Sequence, residues 1–406
     1  MFELRDYQKA LCRIGYDFLT KDKTNNSGLI VSPVGSGKSL IIGTIAAYLK
    51  EPTIVIQPSV ELLYQNHNKS VSYGIQAEIY SASANSKVIG KLTYATMGSI
   101  KDKAALFKKI GVKHIIVDEA DKGFPAEKTG MLVKFLKALG VKKVLGFTAT
   151  PFKNRSYLTE GFNSETKLHL ITRMYPRLFN RILAVVQNQE MIERSFWSPI
   201  EYNAWVYSNM YLRLNSTGSD YTEDSICKNI SYNGINNKIL TEIQRQIDAG
   251  KKSILVFMDS VLSCSIAKEY LDRKGINSNF ITTETTKKTR KNLVDDFRSG
   301  KINVMFNFST LLQGFDAPAI DCIIFGRPTM SLAIWMQVVG RGVRLDPKNP
   351  NKRCLIIDCC GNLEKFGRME DIEIEQYKSF GWGVFSGDKV LTGFPVGEPG
   401  SKKNIQ

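Results

Sequence analysis

Histidine is scarce in this chain, with three in 406 residues. The seven cysteines (Cys12, Cys227, Cys264, Cys322, Cys354, Cys359 and Cys360) contain no C-x-x-C pair. Both facts argue against a zinc module built within the chain and against a disulfide framework. Several cysteines lie in apolar stretches, such as Cys322 before Ile323-Ile324-Phe325. They read as small core residues of a protein kept in a reducing compartment. No run approaches roughly 18 uncharged apolar residues, and Met1-Phe2-Glu3-Leu4-Arg5-Asp6 holds no apolar signal core. The expectation is a cytoplasmic protein with no membrane partner. Acid is the other shortage: 39 Asp and Glu against 55 Lys and Arg leave a net charge of +16. Such a surplus suits a polyanionic partner, because phosphate contacts release counterions; a basic surface serving solubility is the plainer alternative.

Short apolar runs alternate with helical patterns over the first 150 or so residues. Gly28-Leu29-Ile30-Val31-Ser32 predicts a buried strand, residues 39–50 a helix, and Thr53-Ile54-Val55-Ile56-Gln57 the next strand. Further strands are predicted near 77–80, 91–94, 114–117 and 144–147. Apolar strands separated by helices indicate an α/β fold with a parallel sheet covered on both faces. The pattern weakens over 154–234, which reads as a linker with some structure of its own. It resumes with strands near 253–257, 303–306, 322–325 and 354–357. The expected organisation is a first domain over 1–154, a linker or inserted segment over 155–234, a second domain over 235–365, and a C-terminal extension over 366–406.

Pro33-Val34-Gly35-Ser36-Gly37-Lys38-Ser39 follows the first strand and opens a helix. Gly35, Ser36 and Gly37 let the backbone curl so that successive N–H groups face phosphates. Lys38 can reach the β- and γ-phosphates, and Ser39 can ligate Mg²⁺. Ser32 stands where the phosphate-loop pattern has its first glycine, and a Gly-rich turn before a basic helix start is the alternative. Asp118-Glu119-Ala120-Asp121 follows the strand at 114–117. Carboxylates at the C-terminal end of a parallel strand face the ligand crevice, so Asp118 can hold Mg²⁺ and Glu119 can polarise water; a solvated acidic turn is the alternative. Arg341 and Arg344 in Gln337-Val338-Val339-Gly340-Arg341-Gly342-Val343-Arg344 are three apart and project from one face of a helical turn. They are candidates for stabilising charge in phosphoryl transfer, against a basic surface turn.

Together these segments resemble the superfamily-two helicases and translocases over about residues 2–365. The resemblance implies two tandem RecA-like domains with parallel sheets and an ATP site in the cleft between them. It implies Arg5 and Gln8, in Leu4-Arg5-Asp6-Tyr7-Gln8, as adenine-sensing residues, and Asp121, Thr148, Thr150 and Gln337 as coupling residues. Pro58 and Ser59 on one segment, and Thr96 and Met97 on another, would contact the nucleic-acid backbone. Within Ser309-Thr310-Leu311-Leu312-Gln313-Gly314-Phe315-Asp316, Thr310 would touch nucleic acid and Asp316 the nucleotide. Gly314–Asp321 followed by Arg327-Pro328-Thr329 looks most like RadD-type repair helicases. Type III restriction motor subunits and phage branch-migration helicases of the UvsW kind share the arrangement. RadD-like proteins carry His where Asp121 stands and a cysteine-rich zinc segment that this chain lacks.

The resemblance therefore implies an enzyme using ATP and Mg²⁺ to translocate on or unwind duplex, forked or branched DNA in repair, recombination or replication, with a monomer sufficient for catalysis. The Asp-Glu-Ala-Asp tetrapeptide keeps an RNA helicase open, and the restriction likeness keeps open a motor whose nuclease acts in trans. Nucleoid association, or the host cytoplasm for a phage-encoded form, is the expected location.

Overall fold

A computed structural model describes residues 3–122, 130–158, 164–174, 177–308, 317, 319–377 and 381–393. It divides into two units: Met1–Lys153 with His169–Gln187, and Asn154–Leu168 with Asn188–Gln406. The central strands of the first sheet are short and buried on both faces, as their Ile/Val/Leu runs require.

In the first unit, β1 (Ser27–Val31), β2 (Thr53–Gln57), β3 (Glu78–Ser81), β4 (Ser86–Lys87), β5 (Leu92–Thr96), β6 (His114–Val117) and β7 (Leu145–Thr148) are joined by a further edge strand. Numbering β8 (Phe152–Leu158) and β9 (Ser164–Leu170) as a separate two-stranded pair, that edge strand is β10 (Phe179–Val185). The order is β10-β1-β7-β6-β2-β5-β3-β4, parallel apart from β4. Leu29, Ile30, Ile54, Val55, Ile56, Ile115 and Ile116 are fully buried in it. Helices α1 (Asp6–Thr20), α2 (Lys38–Tyr48), α3 (Val60–Ser72), α4 (Met97–Ile100), α5 (Ala104–Lys109) and α6 (Met131–Leu139) complete the unit.

The segment expected as a linker, 155–234, is divided between the units. β10 pairs in parallel with β1, so the first sheet extends past the boundary placed at 154. Packing explains this: a methyl group at Gly146 would lie 2.5 Å from the Phe179 ring, so the glycine leaves room for that side chain. Phe179 is 3% exposed, and Ile182 is the one other buried residue of β10, a spacing that gives no strand period in sequence.

The second unit carries α7 (Asn188–Glu193), β11 (Ile200–Ala204), α8 (Glu223–Tyr232), α9 (Ile235–Asp248), β12 (Ile254–Phe257), α10 (Val261–Arg273), β13 (Ser278–Ile281), α11 (Lys287–Ser299), β14 (Val304–Asn307), β15 (Cys322–Phe325), α12 (Leu332–Gly342), β16 (Cys354–Asp358) and α13 (Asn362–Phe366). Its parallel sheet runs β11-β16-β15-β12-β14-β13. Cys264, Cys322, Cys354, Cys359 and Cys360 are buried there as free thiols. The C-terminal extension is not an appendage up to residue 390. β17 (Ile372–Tyr377), β18 (Gly381–Ser386) and β19 (Lys389–Val390) form an antiparallel sheet. It is pinned where Asn188 Nδ2 donates to the Met369 and Ile372 carbonyls and Trp335 Nε1 to the Gly367 carbonyl. Among the described residues no helix is long and apolar enough to cross a membrane.

Candidate functional site

The loop from Ser32 to Gly37 leaves the C-terminal end of β1, and α2 opens at Lys38. Gly35 and Gly37 have φ of 74° and 83°, a left-handed backbone that a side chain resists. At Gly37 a Cβ would also lie 2.5 Å from Gln8 Nε2 and would push that side chain aside. Ser32, standing at the position of the missing glycine, is buried and donates from Oγ to Ser36 Oγ at 2.7 Å. Ser36 Oγ in turn donates to the Pro33 carbonyl at 2.6 Å. The serine closes the loop through its side chain. Tyr7 Oη and Gln8 Nε2, both on α1, donate to the Ser36 carbonyl at 2.7 and 2.9 Å. Gln8 Oε1 accepts from the Arg5 N–H at 3.0 Å. Thus Gln8 meets the loop from α1's first turn, and Arg5, just before the helix, holds Gln8 through its N–H.

Lys38 Nζ lies 3.4 Å from the Ser32 and Pro33 carbonyls and 3.8 Å from the Glu119 carboxylate. The positive end of α2 and this ammonium therefore face the same place as the carboxylates that follow β6. Asp118 is 3% exposed: Oδ1 accepts from the Glu119 N–H at 2.9 Å, and Oδ2 from Asn66 Nδ2 at 2.7 Å. Burial, then the charge of Glu119, push Asp118 up to about 6 against the pull of Lys38. Glu119 takes the left-handed backbone, φ 46°, which costs on the order of 1 kcal/mol and aims its side chain differently from its neighbours'. Asp121 is buried and accepts from Thr148 Oγ1 at 2.5 Å and Thr150 Oγ1 at 2.9 Å. Burial raises its pKa too, with the Glu119 charge adding to the effect. The acidic loop is thereby tied to the loop after β7.

Ser39 and Asp118 supply two hard oxygen donors, bridged by one residue: Ser39 Oγ donates to Asn66 Oδ1 at 2.5 Å. That set fits Mg²⁺, which takes one or two protein oxygens and completes its shell with phosphates and water. The sequence reading missed Asn66. Its signal is there, since α3 buries Leu63, Asn66 and Ser70 on one face and a polar side chain interrupts that stripe.

The expected nucleic-acid residues are placed less tellingly. Ser59 caps α3 by accepting from the Leu62 N–H at 3.3 Å, with Pro58 just before it. Thr96 Oγ1 bonds Ser81 Oγ at 2.9 Å and Ser99 Oγ at 3.0 Å. The Met97 side chain is buried at the start of α4. Thr310 and Asp316 lie outside the described residues. In the second unit, Gln337 and Arg341 are buried on α12. The helix ends at Gly342, so Arg344 follows it and does not share a continuous helical face with Arg341. Burial, then the charge of Arg298, lower the Arg344 guanidinium to about 10.

Residues 1–153 match the sequence profile described as type III restriction enzyme, res subunit, and residues 236–346 that of the helicase conserved C-terminal domain. The chain belongs to the superfamily-two helicases. It is 29% identical to IRC3 of Saccharomyces cerevisiae, a candidate ATP-dependent helicase, over 62% of this chain and 34% of the yeast protein. A 51.5 kDa protein of a Lactococcus phage (isolate 7-9) is 26% identical over 84% of this chain and 67% of its own length. The structure of the ATP-dependent Type ISP restriction-modification enzyme LlaBIII bound to DNA matches at a TM-score of 0.61. That match covers 88% of this chain and 28% of the other at 14% identity, which shows a shared fold. The aligned part covers about a third of the yeast relative, and the two family matches of this superfamily-two helicase lie in tandem along the chain.

Proposed function

We propose that the chain hydrolyses ATP and uses the energy to move along or remodel duplex, forked or branched DNA in repair, recombination or replication. One observation carries the reading: Lys38, Ser39, Asp118 and Glu119 converge at the C-terminal edge of one parallel sheet, with the Lys38 ammonium 3.8 Å from the Glu119 carboxylate. That edge is where open α/β sheets bind ligands.

In this reading the loop N–H groups and Lys38 bind the β- and γ-phosphates, and Ser39 with Asp118 hold the cation. Bound Mg²⁺ neutralises charge on the phosphates. Glu119 orients the attacking water and accepts its proton. Arg341 and Arg344 stabilise the charge that builds up on the transferring phosphoryl group, a role worth roughly a thousand-fold in rate in comparable NTPases. Asp121, Thr148 and Thr150 couple phosphate release to the DNA track, and the +16 charge supports a polyanionic track. Branch migration and a phage-encoded origin are compatible with the likeness to the Lactococcus phage protein.

The test is ATPase activity with duplex DNA, a fork, a Holliday junction and RNA at equal nucleotide concentration. DNA should stimulate turnover, the branched forms most, and the effect should fall steeply with salt. RNA as the best activator would move the reading to an RNA helicase. Copurification with a nuclease would make the chain a restriction motor. Lys38→Ala retaining full stimulated turnover would overturn the site.

A further inference from the structure

We propose that Asn66 is a positioning residue for the divalent cation, its carboxamide orienting the Ser39 hydroxyl and fixing the Asp118 carboxylate at once. The proposal rests on the nucleotide site described above and extends it to a residue beyond the phosphate loop and the acidic tetrapeptide.

A serine that ligates a cation must offer an oxygen lone pair, so its hydrogen has to be directed elsewhere. Here it goes to Asn66 Oδ1 at 2.5 Å. The carboxamide cannot be turned around, because an ionised Asp118 only accepts and must face Nδ2, which lies 2.7 Å from Oδ2. The Ser39 hydroxyl is therefore the donor, and its lone pairs remain on the side away from α3. The other Asp118 oxygen is held by the Glu119 N–H, so both carboxylate oxygens are fixed before a cation arrives.

Few side chains can do this. Aspartate would set a second carboxylate against Asp118, leucine offers neither group, and serine is too short to span both partners. Asn66 is itself held firmly. It is 3% exposed on the inner face of α3, one turn before Ser70, whose Oγ bonds the buried Tyr94 Oη at 2.7 Å. Groups that orient metal ligands typically matter about 10–100-fold in metal affinity.

The test compares the full chain with Asn66→Leu, close in volume, and Asn66→Ser. Fluorescent mant-ADP binding is measured in EDTA and across a Mg²⁺ titration, and DNA-stimulated ATPase is measured over the same Mg²⁺ range. Both variants should need about 10-fold more Mg²⁺ for half-saturation in both assays. Binding of mant-ADP in EDTA should stay within about 2-fold of the parent, and turnover at saturating Mg²⁺ within about 3-fold, because the phosphate loop is untouched. Asn66→Ser carries the test alone if the leucine variant does not fold. Unchanged Mg²⁺ half-saturation, or an equal loss of mant-ADP binding in EDTA, overturns the role of Asn66. Absence of mant-ADP binding by the parent would instead sink the nucleotide site itself.

Discussion

Thr148→Val is the sharpest probe of the buried polar link between the two acidic-loop neighbours of the first unit. The substitution keeps shape and removes one hydroxyl that is fully buried. That hydroxyl donates to Asp121 Oδ1 and accepts from the Thr150 N–H at 3.0 Å. A hydrogen bond to a charged group contributes about 1.5–3 kcal/mol, and a buried N–H left without a partner costs about 1–3 kcal/mol. The first unit should therefore lose about 3–5 kcal/mol, a large part of a typical domain's stability, and melt roughly 10 °C lower. Asp121→Asn should cost less than Thr148→Val, since an amide can still meet both threonine hydroxyls and leaves no buried N–H without a partner. Urea unfolding followed by far-UV circular dichroism reads both variants. The four tryptophans, Trp197, Trp205, Trp335 and Trp382, all belong to the second unit, so their fluorescence transition is an internal control and should stay in place. A loss below about 1 kcal/mol for Thr148→Val, or greater damage from Asp121→Asn, would refute the reasoning.

Two further outcomes follow from packing and burial. Phe179→Ala should destabilise the first unit by about 3–5 kcal/mol, measured in the same urea experiment, although residue 179 lies outside the segment matched by the N-terminal family profile. Lys365 donates to Tyr221 Oη at 2.6 Å and to the Thr329 carbonyl at 3.2 Å, and burial lowers it from 10.5 to about 8. Between those values the unfolded chain binds more protons than the folded one, so stability should rise with pH from about 8 to 10.5. Lys365→Met should flatten that rise in denaturation curves taken across the interval; an identical slope in the variant would refute it.

Much of this was legible in the residues because the signals are local. The loop at 33–39 needs glycine where φ is positive, and the strands at 27–31, 53–57 and 114–117 each carry a run of Ile, Leu or Val and are buried throughout. These features placed the candidate phosphate loop and the carboxylates without any knowledge of distant contacts. What stayed hidden depends on partners far along the chain. Nothing local in Phe179–Val185 announces a strand beside β1, and its fit is recorded at Gly146. Asn66 on α3 gains its meaning from Ser39 and Asp118, 27 and 52 positions away. The two arginines were read as one helical face because spacing alone carries no information on where α12 stops.

The late arrival of β10 has a consequence for how the protein is made. Translation is vectorial, and β1 emerges from the ribosome long before the strand that shields its outer edge. Until residue 185 is free, the nascent first unit presents a bare row of amides along Ser27–Val31, the kind of edge that recruits stray strands. Chaperone demand should therefore be greatest in that interval, and pausing there would favour aggregation.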